Sequence, residues 1–422
     1  MKLRTFFASL TLLGSVSTAL FAAEWSQWRG PLRDGVAQDT RLPAKLPAKL
    51  SAPLWKAYVG EGYSGPVISR GQVFIMGREA NNLETCLSFD ANTGKRLWRQ
   101  PYTSTFQAPD NRAGKGPNST PTVDGDRVYM LGLGGMFTCL NTKSGKVLWQ
   151  HDFAKKYWGV VKSKDEMDEW FPVCGASASA LVEGDRIIIP VGGRKGGSFA
   201  AFDRNSGKQL WGVLDERSSY ASPVFANLGG ARQMVGFTGT RMVGMRYVDR
   251  KVMWDFPFKA LFEQTIISPI IWKNHVIVGG EARPTVCIKI SGTGDDVKKD
   301  IVWQSAELSS YMVTPVAFKD HLVGLDMRSR RLTCLDLATG KMKWQSTDRL
   351  TGYLSLIVAG DTLLVLLENG ELLALEANTE KMVEKARWKV SEAGGTWAHL
   401  GISGSRLYIK DKEHLYCYDL GA

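Results

Sequence analysis

Apolar residues along this chain come in short stretches cut off by turns, and two recurring phrases mark the cuts. In the first, an alternating stretch ends in an acid or amide, as in Phe89-Asp90, Leu140-Asn141, Phe202-Asp203 and Leu335-Asp336. There follow Thr93-Gly94-Lys95-Arg96-Leu97-Trp98, Ser144-Gly145-Lys146-Val147-Leu148-Trp149, Ser206-Gly207-Lys208-Gln209-Leu210-Trp211 and Thr339-Gly340-Lys341-Met342-Lys343-Trp344. An Asp or Asn side chain can bond the backbone two residues on, and Gly tolerates a positive φ, so the phrase predicts a hairpin between two short strands. Weaker copies lead to Trp254 (after Asp249-Arg250-Lys251, with arginine in the glycine position), to Trp303 and to Trp388. Trp55, in Pro53-Leu54-Trp55-Lys56, has the strand without a preceding hairpin.

The second phrase is a turn followed by an apolar strand, as in Gly71-Gln72-Val73-Phe74-Ile75 and Gly125-Asp126-Arg127-Val128-Tyr129. It recurs at Gly184, Ala231, Asn274, Asp320, Gly360 and Gly404, so both phrases count eight units. Each unit has room for about four strands of ordinary length, which is one propeller blade. The last unit has strands near Leu407 and Leu415 but no tryptophan strand of its own, and the Trp55 strand supplies it. The predicted fold is all-β: an eight-bladed β-propeller of four-stranded antiparallel blades, closed by pairing the N-terminal strand with the last blade. Such closure hides a sheet edge that otherwise invites aggregation. The eight repeat tryptophans are read as packing between blades.

The first residues follow another pattern. Lys2 and Arg4 precede an apolar run from Phe6 to Leu13, and small residues lead to Ala22 and Ala23 before Glu24. This is the pattern of a secretory signal peptide over residues 1–23, too short for a convincing membrane span. Residues 24–422 are then one propeller domain, exported to the periplasm or outside a bacterial cell, and no later apolar run approaches a span. No cysteine stands at the junction to carry a lipid. The net charge of +11 is spread without basic runs. That spread argues for a solvated surface and against a nucleic-acid groove.

The phrase acidic-x-x-Thr/Ser-Gly-Lys-x-Leu-Trp resembles the tryptophan-docking repeat of PQQ-type quinoprotein propellers. That family includes PQQ-dependent alcohol dehydrogenases and BamB-like non-enzymatic assembly lipoproteins. Trp25-Ser26-Gln27-Trp28-Arg29-Gly30-Pro31, with Arg33-Asp34-Gly35, and Gly116-Pro117-Asn118-Ser119-Thr120-Pro121 also resemble secreted PQQ-like repeat proteins. The enzyme branch implies calcium ligands, a carboxylate base, a quinone pocket and an adjacent pair of cysteines. This chain has no adjacent cysteine pair, and no matching Glu, Asn and Asp constellation stands out. Asp165, Glu166, Asp168 and Glu169 read as a solvated charged insertion. The expectation is therefore a non-catalytic binding or scaffold propeller, monomeric, for a protein or polysaccharide partner and without a cofactor. The alternative is a PQQ-dependent oxidoreductase using PQQ with calcium.

The interval before Trp211 is the longest and holds an insertion at residues 151–177. Its Tyr157, Trp158, Trp170 and Phe171 stand among charges, a mixture common in binding loops. Arg194 and Lys195, flanked by Gly192-Gly193 and Gly196-Gly197, could cradle an anion. Trp397 and His399 follow Gly394-Gly395 into the last unit. These eight residues are the candidate partner-binding set; catalytic and metal residues are expected to be absent. Cys139, Cys287, Cys334 and Cys417 share one slot in different units, where Ser88, Ala201 and Ala374 stand in others. They read as buried free thiols, and no Cys-x-x-Cys or His-x-x-x-His spacing suggests a metal.

Overall fold

A computed structural model describes residues 24–421 except 39, 41, 105, 107–115, 159–169, 171, 173, 195, 262–264 and 351. The expected leader, the charged candidates 165, 166, 168 and 169, Phe171 and Lys195 lie outside the described residues. The strands form eight sheets, each built on a four-stranded antiparallel blade; seven blades run in chain order, and one of these carries a fifth, parallel strand at its inner edge. Blade 1 comprises Val67–Ser69, Gln72–Glu79, Leu83–Asp90 and Arg96–Thr103. Blades 2 to 4 open with Thr122–Asp124, Leu181–Glu183 and Val224–Leu228. Blades 5 to 7 open with Ile270–Trp272, Val316–Phe318 and Leu354–Ala359. Blade 8 has Gly401–Ser403, Arg406–Lys410 and His414–Asp419, and takes its outer strand, Trp55–Tyr58, from the other end of the chain. There Trp55 pairs with Cys417 and Tyr58 with His414. First strands touch around the axis between blades 1 and 2, 2 and 3, 5 and 6, 6 and 7, and 8 and 1. The ring closes as the sequence predicts.

Burial explains the two phrases. Inner strands are covered on both faces by adjacent blades, so Val73, Phe74, Ile75 and Met76 are all fully buried and read as one apolar run. Outer strands are covered on one side only, so Val147–Asp152 alternates between half-buried and exposed.

The hairpin phrase does two jobs. Asp90 Oδ1 accepts from the N–H of Asn92 at 3.0 Å and of Thr93 at 2.8 Å, which sets the turn. Gly94 takes φ 68°, and a Cβ there would lie 2.5 Å from the Trp55 ring of the preceding blade. The indole of Trp55 lies on that glycine and donates its N–H to Ala91 O at 3.1 Å. Trp98 does the same to Thr142 O at 2.7 Å and Trp303 to Leu337 O at 2.8 Å. Trp55, Trp98, Trp149, Trp303 and Trp344 thus each lock one blade to the next hairpin. Where Arg250 replaces the glycine it still holds φ 64°, but Trp211 Nε1 finds no hydrogen-bond partner among the described residues. Trp254, facing the longer hairpin of blade 5, turns to Gln233 Oε1 of its own blade at 2.8 Å. Blade 8 has no hairpin before Trp55, and Trp388 donates instead to Pro47 O at 3.0 Å.

All six cysteines are free. Cys139, Cys287, Cys334 and Cys417 each pair across the sheet with a repeat tryptophan, where the adjacent indole leaves room for a small side chain only. Burial pushes the thiols of Cys139, Cys287 and Cys334 up to about 12, so they stay protonated and inert.

Candidate functional site

The chain enters the ring along its axis. Trp25 exchanges backbone hydrogen bonds with Ile68 of blade 1, at 2.9 Å each, and Ser26 O accepts from Val123 N of blade 2 at 2.8 Å. Val36–Ala37 then pairs in parallel with Val358 and Ala359 of blade 7. Between these anchors two fully buried arginines reach the inner strands. Arg29 donates to Thr314 O at 2.6 Å and Pro315 O at 2.7 Å in blade 6. Arg33 donates to Ser179 O and Ala180 O in blade 3, and to Pro223 O in blade 4 at 2.8 Å. A buried charge is tolerable only when it is well hydrogen-bonded, and here each guanidinium serves carbonyls at the entry to a first strand; Ala180 O also accepts from Thr122 Oγ1 at 2.7 Å. Burial lowers Arg29 to about 10 and Arg33 to about 9, so both remain charged at neutral pH. Residues 25–35 form a septum across the channel, tied to six of the eight blades.

On one side of the septum lies a chamber of about 200 Å³. Its wall is built from the extended chain that leads into each first strand, where residues two apart face the same way. The deeper ring is Gly65, Thr120, Ser179, Ser222, Ser268, Thr314, Ser355 and His399, taken from blades 1 to 8, and of these Thr120, Ser222, Thr314, Ser355 and His399 line the chamber. Its hydroxyls form a relay between blades. The N–H of Gly65 donates to Thr120 Oγ1 at 3.1 Å, that of Thr120 to Ser179 Oγ at 2.9 Å, and that of Ser179 to Ser222 Oγ at 2.9 Å. Ser222 N then donates to Ser268 Oγ at 3.0 Å, and Ser268 N to Thr314 Oγ1 at 3.2 Å. The outer ring, two residues earlier in each blade, is Tyr63, Asn118, Ser177, Tyr220, Ile266, Met312, Tyr353 and Trp397, and all eight line the chamber. Trp28, from the septum, also lines it and packs edge-on to His399 at 6.0 Å between ring centres.

The chamber is neutral. Among its described lining residues there is no Asp, Glu, Lys or Arg. Burial, with Arg29 close by, lowers His399 to about 3, so its imidazole is uncharged at neutral pH. Pyrroloquinoline quinone carries several carboxylates, and its calcium needs carboxylate or carbonyl oxygens. Among the described residues no group of three or more His, Cys, Asp and Glu is placed to hold a metal. The described lining residues therefore do not fit a carboxylated quinone with calcium. The lining offers aromatic rings, hydroxyls, the Cys174 thiol and the neutral His399 imidazole, and among the described lining residues no carboxylate. On the other side of the septum a wider basin of about 580 Å³ is lined by Arg29, Arg33, Glu183, Arg232, Trp272, Lys273, Lys319 and Asp320, among others.

The residues singled out from sequence scatter. Trp397 and His399 fall in the two rings of the chamber. Tyr157 and Trp158 do not form an exposed aromatic surface: they are only 6% and 1% exposed, and the Trp158 indole donates to Val191 O at 2.9 Å and Gly192 O at 2.7 Å. Phe153, Tyr157 and Trp158 of the insertion pack inward, into the core shared by blades 2 and 3. Arg194 lies over the Trp170 ring at 5.6 Å, away from the chamber. The glycines beside Arg194 serve close packing, Gly192 against Ser218 and Gly193 against Tyr157. Sequence reasoning missed the septum and both rings. The signal was present as a third recurring phrase: Gly65-Pro66, Thr120-Pro121, Ser222-Pro223, Ser268-Pro269 and Thr314-Pro315 all sit at the same place before a first strand.

Comparison with known proteins agrees with this architecture. The family model described as outer membrane protein assembly factor BamB matches residues 83–346. The outer membrane protein assembly factor BamB of Moranella endobia (strain PCIT) is 21% identical over 387 residues, covering 85% of this chain and 82% of that protein. Among solved structures, BamB from Moraxella catarrhalis superposes with a TM-score of 0.60 at 13% identity, covering 87% of this chain and 97% of that one. A europium-containing methanol dehydrogenase superposes with a TM-score of 0.55 at 11% identity, covering 94% and 98%. At such identities the structural likeness shows the fold alone. The match of the family model over more than half the chain shows more: this protein belongs to the family of the outer membrane protein assembly factor BamB.

Proposed function

We propose that this chain is an exported, non-catalytic propeller that acts as a binding and scaffold module for a protein or glycan partner. One ring architecture serves both catalysis and recognition, so the fold leaves the choice to the site. The observation that carries the reading is the uncharged chamber above a sealed channel, with rings and hydroxyls where quinone chemistry would need cations and a metal-binding carboxylate set. The relative named as an outer membrane protein assembly factor supports a place in the cell envelope and a role in assembly. Among the described residues no helix is long and apolar enough to cross a membrane.

The test is reconstitution. Purified protein is incubated with pyrroloquinoline quinone and calcium, and uptake and dye-linked oxidation of alcohols and sugars are measured. The reading predicts neither. One quinone bound per chain together with dye reduction would replace it with the oxidoreductase reading. Export is tested separately by fractionating cells and weighing the intact mature chain, which is expected to begin near Ala23 or Glu24.

A further inference from the structure

The outer ring of the chamber is not uniform around the axis. Blades 7, 8 and 1 contribute Tyr353, Trp397 and Tyr63, three aromatic residues in a row. Trp397 stacks on Tyr63 with centroids 4.9 Å apart and 27° between planes, and meets Tyr353 edge-on at 4.5 Å. Blades 2 and 3, next around the ring, contribute Asn118 and Ser177, whose side chains bond each other at 3.3 Å. The wall is thus an apolar aromatic face running into a polar edge.

Several polar atoms at this wall are left over. Trp397 Nε1, Asn118 Oδ1 and Ser355 Oγ are all buried and have no hydrogen-bond partner among the described residues. Buried polar groups are nearly always satisfied, and these three lie just behind the chamber wall with almost no surface open to it, so a partner in the chamber meets them once the side chains turn. The three are a donor, an acceptor and a group that can do either. Their partner must therefore offer both acceptors and donors on its rim, and an apolar face for the aromatic residues. It must also be uncharged, because the lining holds no side chain to pair with a charge and burying an unpaired one is costly. The volume of about 200 Å³ suits one ring rather than several.

We propose that the chamber binds a single neutral sugar ring, as a free saccharide or the end of an uncharged glycan. The ring lies against the Trp397, Tyr63 and Tyr353 face. Its hydroxyls take the indole N–H of Trp397 and the carbonyl of Asn118, and Ser355 meets it from the deeper ring. Trp28 closes the floor. This assignment rests on the binding reading above and names its ligand class.

Titration calorimetry of the mature protein tests it with methyl β-glucoside, methyl β-galactoside, N-acetylglucosamine and cellobiose as probes, and sodium glucuronate as the charged counterpart. At least one neutral sugar is expected to bind one-to-one, and glucuronate about tenfold more weakly or not at all. Trp397→Phe keeps the ring and removes the N–H; Asn118→Leu removes the acceptor. Each is expected to weaken binding about tenfold, the loss of one hydrogen bond with its partner left unpaired. The melting temperature of each variant, measured alongside, distinguishes lost contacts from lost folding. No saturation by any neutral sugar up to about 50 mM, which covers millimolar affinities, overturns the assignment, as does glucuronate binding equally well or both variants binding like the parent. If the sugars fail and the quinone also fails to bind, only the ligand class falls. If the quinone binds with calcium and turns over, the binding reading falls as well.

Discussion

The two sides of the septum draw on the same strands and differ in almost everything else. Blade 5 gives Ile266 to the chamber but Trp272 and Lys273 to the basin; blade 6 gives Met312 and Thr314 to one and Lys319 and Asp320 to the other. Four or five residues of extended chain, roughly 15 Å, separate a neutral wall from a charged one. Part of the reason lies in the septum. Arg29 and Arg33 line the basin and spend their donors on strand carbonyls, while Trp28 from the same segment faces the chamber. A propeller channel is one continuous space until something divides it, and here fewer than a dozen residues let two unlike surfaces share one axis.

The most severe way to break that division is Arg33→Ala. It strands the buried carbonyls of Ser179 and Pro223, leaves Ala180 O with Thr122 Oγ1 alone, and is expected to cost about 2–4 kcal/mol of stability in urea unfolding. A variant as stable as its parent would show that the septum is not held this way. Gly30→Ala comes next. Gly30 has φ 82°, and a Cβ there would lie 2.6 Å from the Trp25 ring, so about 1–3 kcal/mol is expected from backbone strain and the displaced indole. Circular dichroism melts check it, and an unchanged melting point counts against the packing described.

Acid sharpens the comparison more gently. His399 is lowered to about 3 in the folded protein by burial, so the unfolded chain binds more protons as the pH falls below about 6.5. The stability that His399 contributes is therefore complete above about 6.5 and lost as the pH falls towards 3. His399→Gln is expected to flatten that part of the stability profile. Because the imidazole stays neutral, sugar binding in the chamber is expected to be constant between about pH 5 and 8; a clear step near 6.5 would contradict a neutral His399. The smallest effect belongs to the basin. Lys273 pairs with Asp320 at 3.1 Å, and both are largely exposed. Lys273→Glu is expected to move the melting temperature by no more than about 2 °C and to leave chamber binding unchanged, whereas any loss of sugar binding would mean that the two sides communicate.

The ring was legible in the chain because its parts repeat. Asp90, Gly94 and Trp98 recur at a spacing that one hairpin explains, and Trp55 without a hairpin already pointed to closure. The aromatic insertion misled, since Tyr157 and Trp158 among charges look like a surface until their neighbours are known. Composition carries no record of which side of a loop meets the core. The septum was hidden for the opposite reason: Arg29 and Arg33 bond to backbone carbonyls, which leave no complementary residue in the sequence. Trp397 and His399 were visible as a pair outside the repeat. The outer ring was not legible, because its positions share orientation rather than residue type: Asn118, Ile266 and Trp397 hold equivalent places with unlike side chains.

The most direct test of the divided channel is a crystal structure of the protein soaked with cellobiose. A sugar ring against Trp397 and Asn118, with residues 25–35 in place between chamber and basin, is the predicted result. A sugar seated in the basin, or a septum withdrawn so that chamber and basin form one open channel, would contradict it.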